Sequence, residues 1–236
     1  MSDGAVAALL RGAARRYLVC GRTVMHFMHG KLRHDPIFVE LLRTGALRSA
    51  SSLLDLGCGR APLFALLLEA QVRRANDTWP AGWPVPPSFE QMRGIELSRH
   101  DVQIARRALA PHAEIVDGDL TEIALDRAEV ITLFDVLHYL VPREQERLID
   151  RIVHALDGAG TLLMRVGNPA AGWRHAFTQA VDRTVWALRG HPFDALHCRD
   201  VDAWIALLRR HGLRVDAAPM HQGTPFANVL LIARRH

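Results

Sequence analysis

Cysteine is scarce in this 236-residue sequence, and the three that occur, Cys20, Cys58 and Cys198, lie far apart with no C-x-x-C spacing. That argues against a disulfide framework and a structural zinc site, and it fits a reducing cytoplasm. Long apolar runs are missing too. The stretch from Ala5 to Leu10 is broken by Arg11, Arg15 and Arg16, and no charge-free window of about 18 residues follows, so neither a signal peptide nor a membrane span is expected. Charge of one sign is not concentrated anywhere. The net charge is +4, but the arginine pairs at 15/16, 73/74, 106/107, 209/210 and 234/235 are scattered among acids, the pattern of solvated helix faces and not of a nucleic-acid surface. Internal repeats and low-complexity tracts are absent. At 49% hydrophobic and 23% charged, the chain reads as one globular domain with room for a sizeable core.

What is present is an alternation of strand-length apolar runs with helix-length amphipathic patterns, which predicts a mostly parallel sheet covered by helices. Residues 5–48 read as helical and precede the first strand. Strands are predicted at 52–55, 93–96, 114–116, 130–134 and 161–166, with helices at 62–74, 99–109 (Ser98 as its cap) and 143–156, the last stopping at Gly158. A helix over about 173–188, another over 201–211 stopping at Gly212, and strands near 213–217 and 227–233 complete the order, so the chain is expected to end in an antiparallel hairpin. The proline-rich segment 75–91, with Trp79 and Trp83, reads as an irregular insertion. Those two rings either grip a long apolar substrate or staple the loop, the second being the plainer account.

The first strand runs into Asp55-Leu56-Gly57-Cys58-Gly59, and Pro62 suits the first turn of the helix behind it. Gly57 and Gly59 let the backbone turn tightly and approach a ligand. A nicotinamide-type loop would carry a third glycine where Pro62 stands, so the pyrophosphate cradle is incomplete and a nucleoside ligand without a diphosphate is indicated. Ligands of such sheets bind beyond the carboxyl ends of the strands, and acids stand at four of those ends: Asp55, Glu96, the Asp117-Gly118-Asp119 turn and Asp135. An acid at the place of Glu96 can accept both ribose hydroxyls. Asp119 is either a ligand or ordinary turn chemistry.

These spaced motifs resemble those of class I S-adenosylmethionine-dependent methyltransferases. The resemblance implies an α/β, Rossmann-like fold with a mostly parallel seven-stranded sheet, an antiparallel last strand, helices on both faces and an N-terminal helical cap over 1–48. It places the cofactor core at 49–166, a substrate lid over 167–199 and the final helix and hairpin at 200–236. It implies that Asp55, Gly57, Cys58 and Gly59 underlie the methionine and ribose of S-adenosylmethionine. Glu96 and Leu97 would then hold the ribose and its surroundings, and Gly118, Asp119 and Leu120 the adenine, with Asp135 lining the methionine pocket; S-adenosylhomocysteine is the product. The Asp-Asn pair of metal-dependent members is missing, so no metal is expected; nor is there an N-P-P-[YF] motif of the nucleic-acid type. His175, His191 and His197 have no metal-ligand spacing.

Segments Gly30-Lys31-Leu32-Arg33-His34-Asp35-Pro36, Leu162-Leu163-Met164-Arg165-Val166-Gly167 and Gly223-Thr224-Pro225-Phe226-Ala227-Asn228 look like those of stand-alone methyltransferases from bacterial aryl polyene and xanthomonadin-type pigment pathways. This implies a phenolic aryl polyene or aryl polyketide acceptor, free or carried on an acyl carrier protein, methylated on oxygen or on a ring or chain carbon. The chain would act as a monomer or dimer. His138 and Tyr139, in Phe134-Asp135-Val136-Leu137-His138-Tyr139, are the catalytic candidates: His138 as base or as a structural residue at the helix start, Tyr139 positioning an aromatic acceptor or packing in the wall. Lys31 and Arg33 either meet the cofactor carboxylate or an acidic carrier, or are solvated cations.

Overall fold

The computed structural model describes residues 2–169, 197–220 and 227–235. Three helices open the chain, α1 (Ser2–Arg15), α2 (Arg22–His34) and α3 (Pro36–Arg43), with a 3-10 turn at Arg16–Cys20 after the first. Then follow β1 (Ala50–Leu56), α4 (Pro62–Ala75), β2 (Phe89–Glu96), α5 (Arg99–Leu109), β3 (Glu114–Asp117), β4 (Ala128–Phe134), a 3-10 turn at Leu137–Tyr139, α6 (Pro142–Ala155), β5 (Leu156–Gly167), α7 (Val201–Arg210), β6 (Arg214–Pro219) and β7 (Asn228–Arg234). The seven strands are hydrogen-bonded in the order β3-β2-β1-β4-β5-β7-β6. β7 runs antiparallel to both β5 and β6, as the hairpin pattern predicts. The expected helix at 173–188 and most of the expected lid over 167–199, residues 170–196, lie outside the described residues, as do His175, His191 and Gly223 to Phe226.

By packing, the chain divides into two compact units, one of residues up to 124 with 128–130, the other of 125–127 with 131 onward. In the first, β1 carries Leu53, Leu54 and Leu56 into the core, and α4, started by Pro62, buries Leu63, Phe64, Leu66, Leu67 and Ala70. The amphipathic α1 packs on α4, burying Leu9, Leu10, Ala13 and Ala14. β1 and β2 pair in parallel with Asp55 opposite Gly94, and β2 and β3 with Glu96 opposite Asp117. That register brings the acids of three strand ends to one edge. Ser98 caps α5 as expected, its Oγ accepting from the Asp101 N–H at 3.3 Å.

In the second unit, Met164 of β5 faces Leu231 of β7, which faces Ala217 of β6, and α6 buries Leu148, Ile149 and Ile152. Among the described residues no helix is long and apolar enough to cross a membrane.

Most boundaries fall within two residues of expectation; the starts of β2 and β5, expected at 93 and 161, differ by more. β2 starts at Phe89, not at 93, because the exposed Glu90 and Gln91 show no apolar signal although the parallel ladder to β1 already includes residues 89 and 91. α6 stops at Ala155 and β5 begins at Leu156, so Gly158, in the left-handed region at φ +53°, lies inside the strand and is not the helix stop. The insertion is irregular as predicted and stapled: Trp79 Nε1 donates to Pro84 O at 2.9 Å, and its ring meets Trp83 edge-on at 5.6 Å.

Candidate active site

The glycine loop is held from beneath by β2. Gly57 and Cys58 both donate their N–H groups to Ile95 O, at 2.8 and 3.1 Å. Gly57, Gly59 and Ala61 all take left-handed φ values, of 70°, 58° and 53°. For the alanine that is a strained conformation needing outside support. The support comes from residues that the sequence reading passed over. Tyr17, fully buried, donates its hydroxyl to Arg60 O at 2.6 Å. The Arg60 guanidinium pairs with Asp101 at 2.8 Å and lies over the Phe27 ring at 4.7 Å. Burial pushes the Tyr17 phenol up, so it remains a hydroxyl donor.

Glu96 is buried, and its two carboxylate oxygens each accept one backbone N–H: Oε2 from Gly59 and Oε1 from Ser98, both at 2.9 Å. A carboxylate offers about four lone-pair sites, so capacity remains for two hydroxyl donors. Leu97 beside it exposes half of its surface, an apolar face next to the carboxylate. Asp55, one strand over, is buried as well. Leu120 is buried, and Gly118 N donates to Glu96 O at 3.1 Å, tying the third strand end to the second. Asp119 uses Oδ1 to accept from both the N–H and the hydroxyl of Thr121 at 2.8 Å, so its turn chemistry is real; a ligand would meet the remaining acceptor capacity of the carboxylate. Cys58 spends its side chain on packing. Its thiol is buried, and burial with Asp55 and Glu96 nearby pushes its pKa up, which keeps it an unreactive thiol. A left-handed loop, a carboxylate with spare acceptor sites and an adjacent apolar face fit a nucleoside carrying two ribose hydroxyls.

Lys31 and Arg33 stand on the exposed last turn of α2, and the Lys31 ammonium is engaged by Asp35 at 2.8 Å. Asp35 also caps α3, accepting from Ile37 N at 3.3 Å.

In the second unit, Asp135 directly follows β4 in the left-handed region at φ 58° and pairs bidentately with Arg165 of β5. Arg165 is almost wholly buried. The sequence held a signal for this: a lone charge inside an apolar strand requires a counter-ion. Beyond Asp135 the 3-10 turn presents His138 and Tyr139, their ring centroids 4.1 Å apart and tilted by 51°. His138 keeps part of its surface exposed, but Nε2 itself is buried. Burial lowers its pKa to about 4; Asp135 opposes the shift and Arg165 adds to it. The ring is therefore neutral near pH 7. A recess of about 450 Å³ at the start of α6 and residues 197–203 includes none of the strand-end acids. Among the described residues, no group of three or more His, Cys, Asp or Glu is placed to hold a metal ion.

A family model described as "Methyltransferase domain" matches residues 26–218. The chain belongs to the methyltransferase domain family. It is 30% identical over 95 residues to a carboxy-S-adenosyl-L-methionine synthase of Escherichia coli, across 36% of this chain and 38% of that protein. It is 29% identical over 173 residues to the mitomycin biosynthesis 6-O-methyltransferase of Streptomyces lavendulae, across 71% of this chain and 43% of that protein. The chain thus spans less than half the length of these two curated relatives. In fold, this methyltransferase domain is similar to an O-methyltransferase family protein from Burkholderia thailandensis, with TM-score 0.59 and 20% identity over 92% of this chain and 61% of that one. It is also similar to magnesium protoporphyrin IX methyltransferase from Synechocystis with bound S-adenosylhomocysteine, with TM-score 0.58 and 17% identity over 90% and 87%.

Proposed function

We propose that the protein transfers a methyl group from S-adenosylmethionine to the oxygen of a phenolic acceptor of the aryl polyene or aryl polyketide kind, without a metal. The observation that carries the cofactor half is the buried Glu96 carboxylate, oriented by the Gly59 and Ser98 N–H groups with acceptor sites to spare. Asp55, the 57–59 loop and Leu97 complete that side, and the 118–120 turn takes the base. When bound, S-adenosylmethionine supplies an electrophilic methyl on a sulfonium with a neutral leaving group. Oxygen as the acceptor atom is supported by the relationship to an O-methyltransferase of mitomycin biosynthesis.

His138 accepts the acceptor's proton. An imidazole of pKa about 4 is a weak base for a free phenol, but a phenol oxygen gaining a methyl becomes far more acidic than the imidazolium, so the proton transfer is downhill once the bond forms. Neutral across the physiological range, His138 is always ready to accept. Tyr139, tilted against it, offers a face to an aromatic acceptor.

The test is calorimetric titration with S-adenosylmethionine and S-adenosylhomocysteine, repeated on Glu96→Ala. Binding of order −8 kcal/mol, a micromolar Kd, that is lost in the variant supports the assignment; equal binding in the variant refutes it. A screen of free and carrier-tethered phenols then decides the acceptor: turnover of a quinone precursor or acyl substrate alone would replace the aryl polyene class, and binding without any turnover would mean a scaffold.

A further inference from the structure

Gln145 on α6 is 1% exposed, and its side-chain amide nitrogen donates to three backbone carbonyls: Leu137 O at 2.9 Å, Leu140 O at 3.1 Å and His197 O at 2.7 Å. Two of these flank His138 and Tyr139 in the 3-10 turn; the third belongs to the chain 52 residues further on. His197 closes the link from its own side, its N–H donating to His138 O at 2.9 Å. The His138 peptide is thus held at its own carbonyl and, through Gln145, at the carbonyls before and after the pair.

We propose that Gln145 is the positioning residue of the catalytic turn, locking His138 and Tyr139 to the returning chain at His197. The residue type follows from the acceptors. All three are carbonyl oxygens, so the amide must present its nitrogen to them, one hydrogen being shared because two hydrogens serve three oxygens. A carboxylate of the same shape would set negative oxygens against carbonyl oxygens, and an apolar side chain would leave buried carbonyls without this donor. A three-residue 3-10 turn has too few internal hydrogen bonds to fix its own orientation, and it follows the left-handed Asp135. The amide supplies the constraint from outside.

The inference rests on the reading of His138 as the base, and its test keeps the two apart. The imidazole signals of His138 are followed by NMR through a pH titration in the wild type, Gln145→Glu and Gln145→Met, alongside S-adenosylhomocysteine calorimetry on each. Asp135 and Arg165 are unchanged throughout; Gln145→Glu adds a carboxylate that would itself raise the His138 pKa, so the neutral Gln145→Met decides whether loosening of the turn is the cause. With the turn loosened, water reaches the ring, and His138 should titrate closer to the ordinary histidine value in both variants, with S-adenosylhomocysteine affinity retained. A His138 titration in Gln145→Met that coincides with the wild type overturns the proposal. Should neither variant fold, exchange of the Gln145 side-chain amide protons in the wild type decides: slow exchange upholds the locked amide, and exchange at the rate of a solvated amide overturns it. Failure of wild-type S-adenosylhomocysteine binding would instead count against the methyltransfer reading itself.

Discussion

The sulfur of Cys58 fills the space that a side chain on Gly94 would need: a Cβ built there would stand 2.7 Å from Sγ and 3.2 Å from the Cδ1 of Ile115. β2 can therefore lie against the glycine loop only because residue 94 has no side chain. Neither obstacle is the free end of a long flexible chain, so Gly94→Ala should cost about 1–3 kcal/mol and weaken S-adenosylhomocysteine binding, through displacement of residues 57–59. Urea unfolding and calorimetry measure the two effects; a stable variant with unchanged affinity would show that the loop tolerates the shift.

Tyr17→Phe removes one hydroxyl and leaves Arg60 O without its donor. A loss of about 1–3 kcal/mol follows from the orphaned carbonyl, together with a several-fold weaker cofactor affinity because the left-handed run at Gly57, Gly59 and Ala61 loses an anchor. Thermal unfolding and S-adenosylhomocysteine titration check both. Unchanged affinity would mean that Arg60 and Asp101 suffice.

Asp135→Asn keeps a residue tolerant of φ 58° while removing the charge that faces the buried Arg165. Breaking the pair should destabilise by about 2–4 kcal/mol, at or below the usual range for a buried pair because a third of the Asp135 side chain is exposed. The His138 pKa should fall further, since the carboxylate that raises it is gone. Equilibrium unfolding and an NMR titration of His138 read these separately.

His138 contributes a pH dependence of known sign. Its pKa is about 4 when folded and near 6.5 when unfolded, so between those values the unfolded chain binds a proton that the folded one does not. Stability from this group is complete above about pH 6.5 and declines as the pH falls toward 4, by at most about 3 kcal/mol. Compared at pH 7, 5.5 and 4.5, the unfolding free energies of wild type and His138→Gln should converge or cross as the pH falls. Turnover should show no acid limb from His138 near pH 6.5; one at that position would mean a solvated imidazole.

The strand-end acids are legible in the sequence because parallel strands bring their carboxyl ends to one edge; the register is not, since aligning the acids would set Asp55 opposite Glu96, whereas the strands pair Asp55 with Gly94 and Glu96 with Asp117. Ser98 as a cap and Pro62 at a helix start are legible for a local reason, since each acts within a turn of its own position. Phe89 to Gln91 are not, because an exposed strand end has no periodic apolar signal.

By itself the sequence determined the order of elements, the glycine loop and the acids that edge it, all encoded in patterns spanning fewer than about 15 residues. Only the tertiary structure decided that Arg60 is fixed by Tyr17 and Asp101, that Asp135 is paired with Arg165, that burial lowers the His138 pKa, and that Gln145 ties the 137–139 turn to His197. The physical reason is that burial and hydrogen-bond satisfaction depend on neighbours in space. Partners 30 to 52 residues apart, such as Asp135 with Arg165 and Gln145 with His197, leave no periodic trace in the chain.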